Sequence, residues 1–386
     1  MKNLLLPIDE ELLPYAYWLC NIKGVGRKTI YHLLTQIKSP KTVYDLSEKE
    51  LLPFLTERQR KLGLAERLIS SKGTWDVQEN YQKLTEKHIY FTCLGHVAYP
   101  ERLANIPDAP YGLYYIGRLP EHDKPSVAII GARNCSEYGR YMAECYGREL
   151  AAAGVQIISG MARGIDGIGQ KEALLTGGYS LGVMGCSVDI CYPEENRELY
   201  NMLCAHGGIC SEYSLNTEPQ NTLFPPRNRI ISAFSDIVLV IEARHRSGTL
   251  ITVDMALEQG KEVYALPGRV TDPLSDGCNR LIQQGAGIAV SPQDMLRTLM
   301  GNGFKLSGAV SGEKQHSAGK NMFLSAVQSE IMDVLDSSPL SVEIIKQHML
   351  SKHHRDIPIP ELMNQLMKLS LCGAVRQVSN SYFMKE

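Results

Sequence analysis

Several common chemistries are missing from this sequence. Its ten cysteines (Cys20, Cys93, Cys135, Cys145, Cys186, Cys191, Cys204, Cys210, Cys278 and Cys372) form no C-x-x-C pair. Cys186 and Cys191 have no second pair and no nearby histidine, so no zinc or other metal site is expected. Several of these thiols fall inside apolar strands or helices, the setting of reduced structural cysteine, which points to the cytoplasm. No apolar run approaches the length of a membrane span. The opening Met-Lys-Asn-Leu-Leu-Leu-Pro meets Asp9, Glu10 and Glu11 too early for a signal peptide. A soluble protein with no membrane partner is expected. Charge of one sign is lacking too: 40 Lys and Arg stand against 42 Asp and Glu, a formal net charge of -2. Any nucleic-acid site must then be a local patch, because there is no global positive field. Finally, no strand-to-helix turn carries the G-x-G-x-x-G spacing, which disfavours a nicotinamide or flavin, and no cofactor is expected.

What is present divides into zones. At 386 residues, 44% of them hydrophobic, the chain can bury at least one large core. Residues 1–75 read as an all-helical domain of helix-hairpin-helix type. Its segment Cys20-Asn-Ile-Lys-Gly-Val-Gly-Arg-Lys-Thr places Gly24, Gly26, Arg27 and Lys28 at a turn between two apolar stretches. Such a turn can hold one DNA phosphate as a secondary contact; the alternative is a tight corner where glycine permits close packing. From 76 to 300 the pattern becomes α/β. A stretch with Tyr99-Pro and Asp108-Ala-Pro-Tyr feeds candidate strands at 127–130, 155–159, 179–184, 208–211, 237–241, 263–266 and 288–290, with amphipathic helices such as 136–153 and 165–175 between them. Strand–helix alternation with short connections predicts an extended Rossmann-like, doubly wound parallel sheet. Residues 301–321, rich in Gly, Ser and charge, read as a flexible linker. In 322–386, helices near 328–335, 341–349 and 360–369 precede a terminal hairpin, the order of a winged helix. The third helix, Glu361-Leu-Met-Asn-Gln-Leu-Met-Lys-Leu, has one lysine and suits packing or protein contact better than groove reading.

Four loops at the carboxyl ends of the strands carry the candidate chemistry. The first, Ile130-Gly-Ala-Arg, lets the chain turn sharply at Gly131 and aims the Arg133 fork at a phosphate. The second, Ser159-Gly-Met-Ala-Arg-Gly-Ile-Asp, offers bare amides at Gly160, Ala162 and Gly164, with Arg163 between them and Asp166 bracing the loop. The third is a helix start, Phe224-Pro-Pro-Arg-Asn-Arg, with Arg227, Asn228 and Arg229. One of its two arginines is expected to be an interior strut paired with a carboxylate such as Glu242. Phe224 either stacks a base or fills the core. The fourth, Ser247-Gly-Thr, opens the next helix with Gly248 and Thr249. Helix N-termini attract anions, so the four loops predict a phosphate site but leave open whether the ligand is a nucleotide or a polynucleotide.

These residues resemble the DNA processing protein A (Smf) family, single-stranded-DNA-binding proteins of natural transformation. The resemblance runs in order through Gly131-Ala-Arg133, the loop from Ser159 to Asp166, and Gly185-Cys-Ser-Val-Asp-Ile-Cys-Tyr-Pro193 with Asn196. It continues through Ser211-Glu-Tyr, Phe224 to Ile231, Ser247 to Thr252, Pro267-Gly268, and Asn279-Arg-Leu-Ile with Gly285-Ala286. It implies a homodimer that binds incoming single-stranded DNA without sequence preference, protects it and helps load a RecA-type recombinase. It also implies a basic pocket in the Rossmann domain that includes Arg133, the start from Arg227 to Arg229, and the loop from Gly160 to Gly164. Ala132 departs from the family's usual serine or threonine and removes a hydroxyl from that pocket.

The rival reading is an enzyme. The same half is distantly similar to lysine-decarboxylase-like phosphoribohydrolases, whose Pro-Gly-Gly-x-Gly-Thr turn is followed by catalytic glutamates. Here Ile251 and Thr252 stand where those carboxylates would be, and Asp254 is offset. Acid–base work needs a titratable group within reach of the reacting atom. With no nucleophile–base pair either, no enzymatic activity is expected. A purely structural adaptor would leave the phosphate loops without a use.

Overall fold

A computed structural model describes residues 7–306, 325–336, 338–371, 374–379 and 381–385. The chain divides into two compact units, Met1–Asn134 with Ala143–Gly308, and Cys135–Met142 with Ala309–Glu386.

The larger unit begins with helices α1 (Leu13–Asn21), α2 (Arg27–Ile37), α3 (Pro40–Asp45), α4 (Glu48–Leu51), α5 (Glu57–Lys61), α6 (Leu64–Thr74) and α7 (Val77–Glu86). After them come β1 (Tyr90–Cys93), α8 (Glu101–Ala104), β2 (Gly112–Gly117) and β3 (Ser126–Ile130). The alternating half continues as α9 (Glu137–Ala152), β4 (Gln156–Ser159), α10 (Ile165–Leu175), β5 (Ser180–Val183), α11 (Arg197–His206), β6 (Gly208–Ser211) and α12 (Phe224–Phe234). It ends with β7 (Ile237–Val240), α13 (Gly248–Glu258), β8 (Glu262–Ala265), α14 (Asp276–Gln283), β9 (Gly287–Ile288) and α15 (Pro292–Gly301).

The nine strands form one sheet in the order β1-β2-β6-β5-β4-β3-β7-β8-β9. The segment from β6 to β9 is parallel, whereas β2 pairs antiparallel with β6 and β1 antiparallel with β2. Strands β3, β4, β5, β6 and β7 are buried at every position. That burial on both faces explains why Val-Ala-Ile-Ile of β3 and Ile-Val-Leu-Val of β7 read as unbroken apolar runs. From the central β3 the chain steps outward to β4, β5 and β6, then returns to β7 on the other side. The direction of winding thus reverses between β3 and β7, where a doubly wound sheet opens its ligand crevice beyond the carboxyl ends.

Two domain expectations need correction. Helices continue past residue 75 to Glu86, and the N-terminal helices do not pack as a unit of their own. Leu13, Trp18, Leu33 and Leu68 belong to the same continuous core as Leu113, Ile130 and Ile158. The antiparallel β1 and β2 carry that core across to the parallel strands. Of the linker expected at 301–321, Gly301 closes α15, and residues 307–321 lie outside the described residues.

The smaller unit contains α16 (Ala326–Val334), β10 (Leu340–Ser341), α17 (Val342–His353), α18 (Ile359–Leu371), β11 (Val375–Ser379) and β12 (Tyr382–Lys385). Its antiparallel sheet has the order β10-β12-β11 and covers a core of Ile331, Ile345, Met349, Leu362, Leu366 and Phe383. This is the helix and strand order of a winged helix. Lys346, Lys352 and Arg355 are paired inside it with Asp356, Asp333 and Glu330. Among the described residues, no helix of either unit is long and apolar enough to cross a membrane.

Candidate functional site

A cleft of about 420 Å³ opens beyond β3 and β7. It is lined by Gly131, Ala132 and Arg133 from the first loop, Ala162 and Asp166 from the second, Asn221, Phe224, Pro225, Arg227 and Asn228 around the start of α12, and Ser247, Gly248, Thr249, Ile251 and Thr252 at the start of α13. Two helix N-termini face the opening: α13 presents amides that the helix itself leaves unpaired, whereas α12 opens Phe224-Pro225-Pro226, whose two prolines carry no N–H.

Arg133 is exposed and has no ion-pair partner among the described residues. Gly131 beside it cannot be replaced without movement, because a Cβ there would stand 2.7 Å from Ile165 Cγ1. At α13, Thr249 Oγ1 donates to Gly131 O at 3.3 Å, tying the first and fourth loops together. Gly248 is exposed and unobstructed. The Ser247 Oγ is shielded from solvent yet has no hydrogen-bond partner among the described residues. An unpaired buried hydroxyl costs free energy unless a ligand satisfies it.

In the second loop Asp166 is the brace the sequence predicts, but the open anion nest expected there is not found. The nest is already filled from within. Asp166 is 8% exposed and accepts from Gly131 N at 3.3 Å and from Gly160 N at 3.2 Å. Burial raises its pKa above the usual carboxylate range; nearby Arg227, the Ser159 hydroxyl and the two amides pull it back in part. Ser159 is fully buried and donates inward to Ile129 O. Arg163 points out toward Glu195 at 3.5 Å. Ser159, Gly160, Arg163 and Gly164 therefore do not line the cleft; they shape it. Gly164 adopts φ +74°, and any Cβ would run into the carbonyls of Ala132 and Arg133, so glycine is required. Met161, at φ +54°, is held by Gln170 Oε1 on its amide and by Asn196 Nδ2 on its carbonyl.

The third loop was expected to contain one strut; it contains two. Arg227 is 6% exposed, lines the floor of the cleft and donates to the carbonyls of Gly160 and Val183. Burial lowers its pKa from the usual arginine value, while the Asp166 charge opposes that shift. Arg229 is turned away from the cleft altogether. Its fork meets Glu212 at 2.6 and 2.7 Å, with Nε on Asp108 O at 2.9 Å. The carboxylate partner is thus Glu212 and not Glu242, and Arg229 is removed from the set of phosphate contacts. Asn228 remains on the cleft wall. Phe224 is half-buried there and stacks on Tyr192 with centroids 5.4 Å apart and planes at 22°. Gly185 makes room for that ring.

At the N-terminal hairpin, Arg27 is also a strut, bonded to Asp108 through its carbonyl and through the carboxylate at 3.0 Å. Gly24, at φ +85°, faces the Arg67 guanidinium, which donates to Lys23 O at 3.2 Å. Of the expected secondary contact, Gly26 and Lys28 stay exposed.

Asn221, Tyr192, Asn196 and Glu212 were given no role from sequence. Their parts depend on contacts between distant segments. Tyr192 and Asn196 stood inside a recognisable motif that signalled their position but not their partners. Asp254 is exposed and off the cleft, while Ile251 and Thr252 line it.

The reversal point, the two helix starts and the free arginine define a doubly wound α/β protein with a cleft at its topological switch point. The chain belongs to the DNA recombination-mediator protein A family, whose model matches residues 90–300. It is 34% identical over 331 residues to protein Smf of Escherichia coli, covering 85% of this chain and 84% of that protein. It is 40% identical over 220 residues to the DNA processing protein DprA of Streptococcus pneumoniae, covering 57% and 76%. The crystallographic structure of DprA from Streptococcus pneumoniae matches with a TM-score of 0.64 at 31% identity, over 76% of this chain and 98% of that one. The structure of DNA processing protein A from Helicobacter pylori, described for its single-stranded DNA binding mode, matches with a TM-score of 0.50 at 31% identity, over 56% and 98%.

Proposed function

We propose that this chain binds single-stranded DNA without sequence preference in the cleft between β3 and β7. In this reading it acts in the cytoplasm as a homodimer in DNA processing during natural transformation, protecting the incoming strand and helping to load a RecA-type recombinase. One observation carries the binding site: the unpaired cation of Arg133 and the partly accessible ring of Phe224, which is backed by stacking on Tyr192, line one crevice. A cation that grips backbone phosphate beside an aromatic platform that accepts any base is the combination single-strand binders use. The Ser247 hydroxyl and the amides opening α13 supply further donors.

The chain acts by binding and not by chemistry. Among the described residues lining the cleft, Asp166 is the one carboxylate, and both of its oxygens are engaged by loop amides. A competition gel shift tests the reading. Labelled single-stranded oligonucleotide should be retained and displaced by unlabelled single strand of any sequence, poorly by duplex, and hardly at all by mononucleotides. Preferential displacement by a nucleoside monophosphate, with release of free base, would instead support the enzyme.

A further inference from the structure

An anion buried under an anion-binding cleft needs a reason. Asp166 stands in the first turn of α10, and its two oxygens bind amides from two different loops, Gly131 after β3 and Gly160 after β4. Gly160 also accepts from Arg227 through its carbonyl at 2.9 Å, so a single residue links carboxylate and guanidinium. A Cβ on Gly160 would lie 2.8 Å from Arg227 Nη2, which keeps that packing tight. An amide side chain could accept only one of the two N–H groups and would turn its own NH2 toward the other.

We propose that Asp166 is a positioning residue of the cleft: it clamps the first two loops together and masks the Arg227 charge, so the cleft reaches its full positive potential only when Asp166 is neutral. This rests on the single-stranded DNA reading. The groups that face the carboxylate are Arg227 from α12 and the Ser159 hydroxyl at the end of β4, with Arg133 the next cation to act on Arg227. The Cys186 and Cys210 thiols that also act on Arg227 are kept protonated by burial. Glu242, just beyond β7, makes its charge felt at Cys278. A carboxylate whose pKa burial has raised protonates early as pH falls, and a bound phosphate raises it further, so binding takes up a proton. Affinity for the strand therefore rises on acidification.

The test uses the full chain and oligo(dT), chosen because thymine does not protonate in mild acid. Dissociation constants are measured at constant ionic strength from about pH 7 to about pH 4.5, the range above ordinary aspartate titration. The wild-type protein should tighten several-fold more than Asp166→Asn over that range. Parallel profiles for the two proteins would overturn the proposal. Should the variant fail to fold, calorimetry of the wild-type protein at about pH 5, in buffers of different ionisation enthalpy, replaces it. Proton uptake on binding is then expected, and zero uptake overturns the proposal. Absence of oligo(dT) binding at every pH is a different outcome, the failure of the single-stranded DNA reading itself.

Discussion

Replacing Arg133 by alanine is the sharpest perturbation of the cleft, because the side chain is exposed and unpaired and its loss leaves the fold intact. Its charge also lowers the pKa of Arg227, so two like charges lie near each other and an incoming phosphate relieves their repulsion. One charge-assisted contact from an exposed guanidinium is worth about 1–2 kcal/mol, which corresponds to roughly a tenfold loss of affinity. The counterion term is more diagnostic. Each phosphate contact on a single strand contributes about 0.7 to the slope of log affinity against log salt, so the variant's slope should be shallower by about that amount. Fluorescence anisotropy with oligo(dT), between about 50 and about 200 mM salt, measures both quantities. The loss should also be the same for other sequences, because phosphate contacts carry no base information. If Arg133→Ala kept both the affinity and the salt slope of the wild-type protein, the strand would not pass over this cleft.

Arg229→Ala should behave differently. It leaves Glu212, whose side chain is 14% exposed, as an uncompensated charge and should cost about 3–5 kcal/mol of stability in urea unfolding, without changing the salt slope of the folded fraction. Arg229→Met combined with Glu212→Leu should recover most of that loss, and a slope change in the double variant would return Arg229 to the binding surface. Phe224→Ala removes a stacking surface and should weaken binding by about 1–3 kcal/mol with the salt slope unchanged; a shallower slope would mean the ring acts only by holding a cation in place.

The parallel sheet was largely legible in the sequence. The strand expected at 208–211 and the helix at 165–175 coincide with β6 and α10, because a strand covered on both faces is predominantly small or apolar and its helix amphipathic. The charges were harder to read. An arginine at a helix start looks the same in sequence whether it reaches solvent or a carboxylate. Arg229 and Glu212 are seventeen residues apart, and nothing local marks them as a pair. The glycines of the second loop likewise read as an empty anion nest with Asp166 as a brace, and only folding shows that the brace, made to Gly160 six residues earlier, is what fills the nest. Arg133 faces solvent as its place in the first loop predicts.

The Asp108 carbonyl receives Arg27 from the start of α2 and Arg229 from α12, so one peptide oxygen joins the amino-terminal helices to the helix that opens the cleft. Trimming the chain back to its sheet would strip a donor from that oxygen and leave the apolar flank around Leu113 wet. The hairpin thus works as a buttress, and a shortened version of the protein should be designed to keep it.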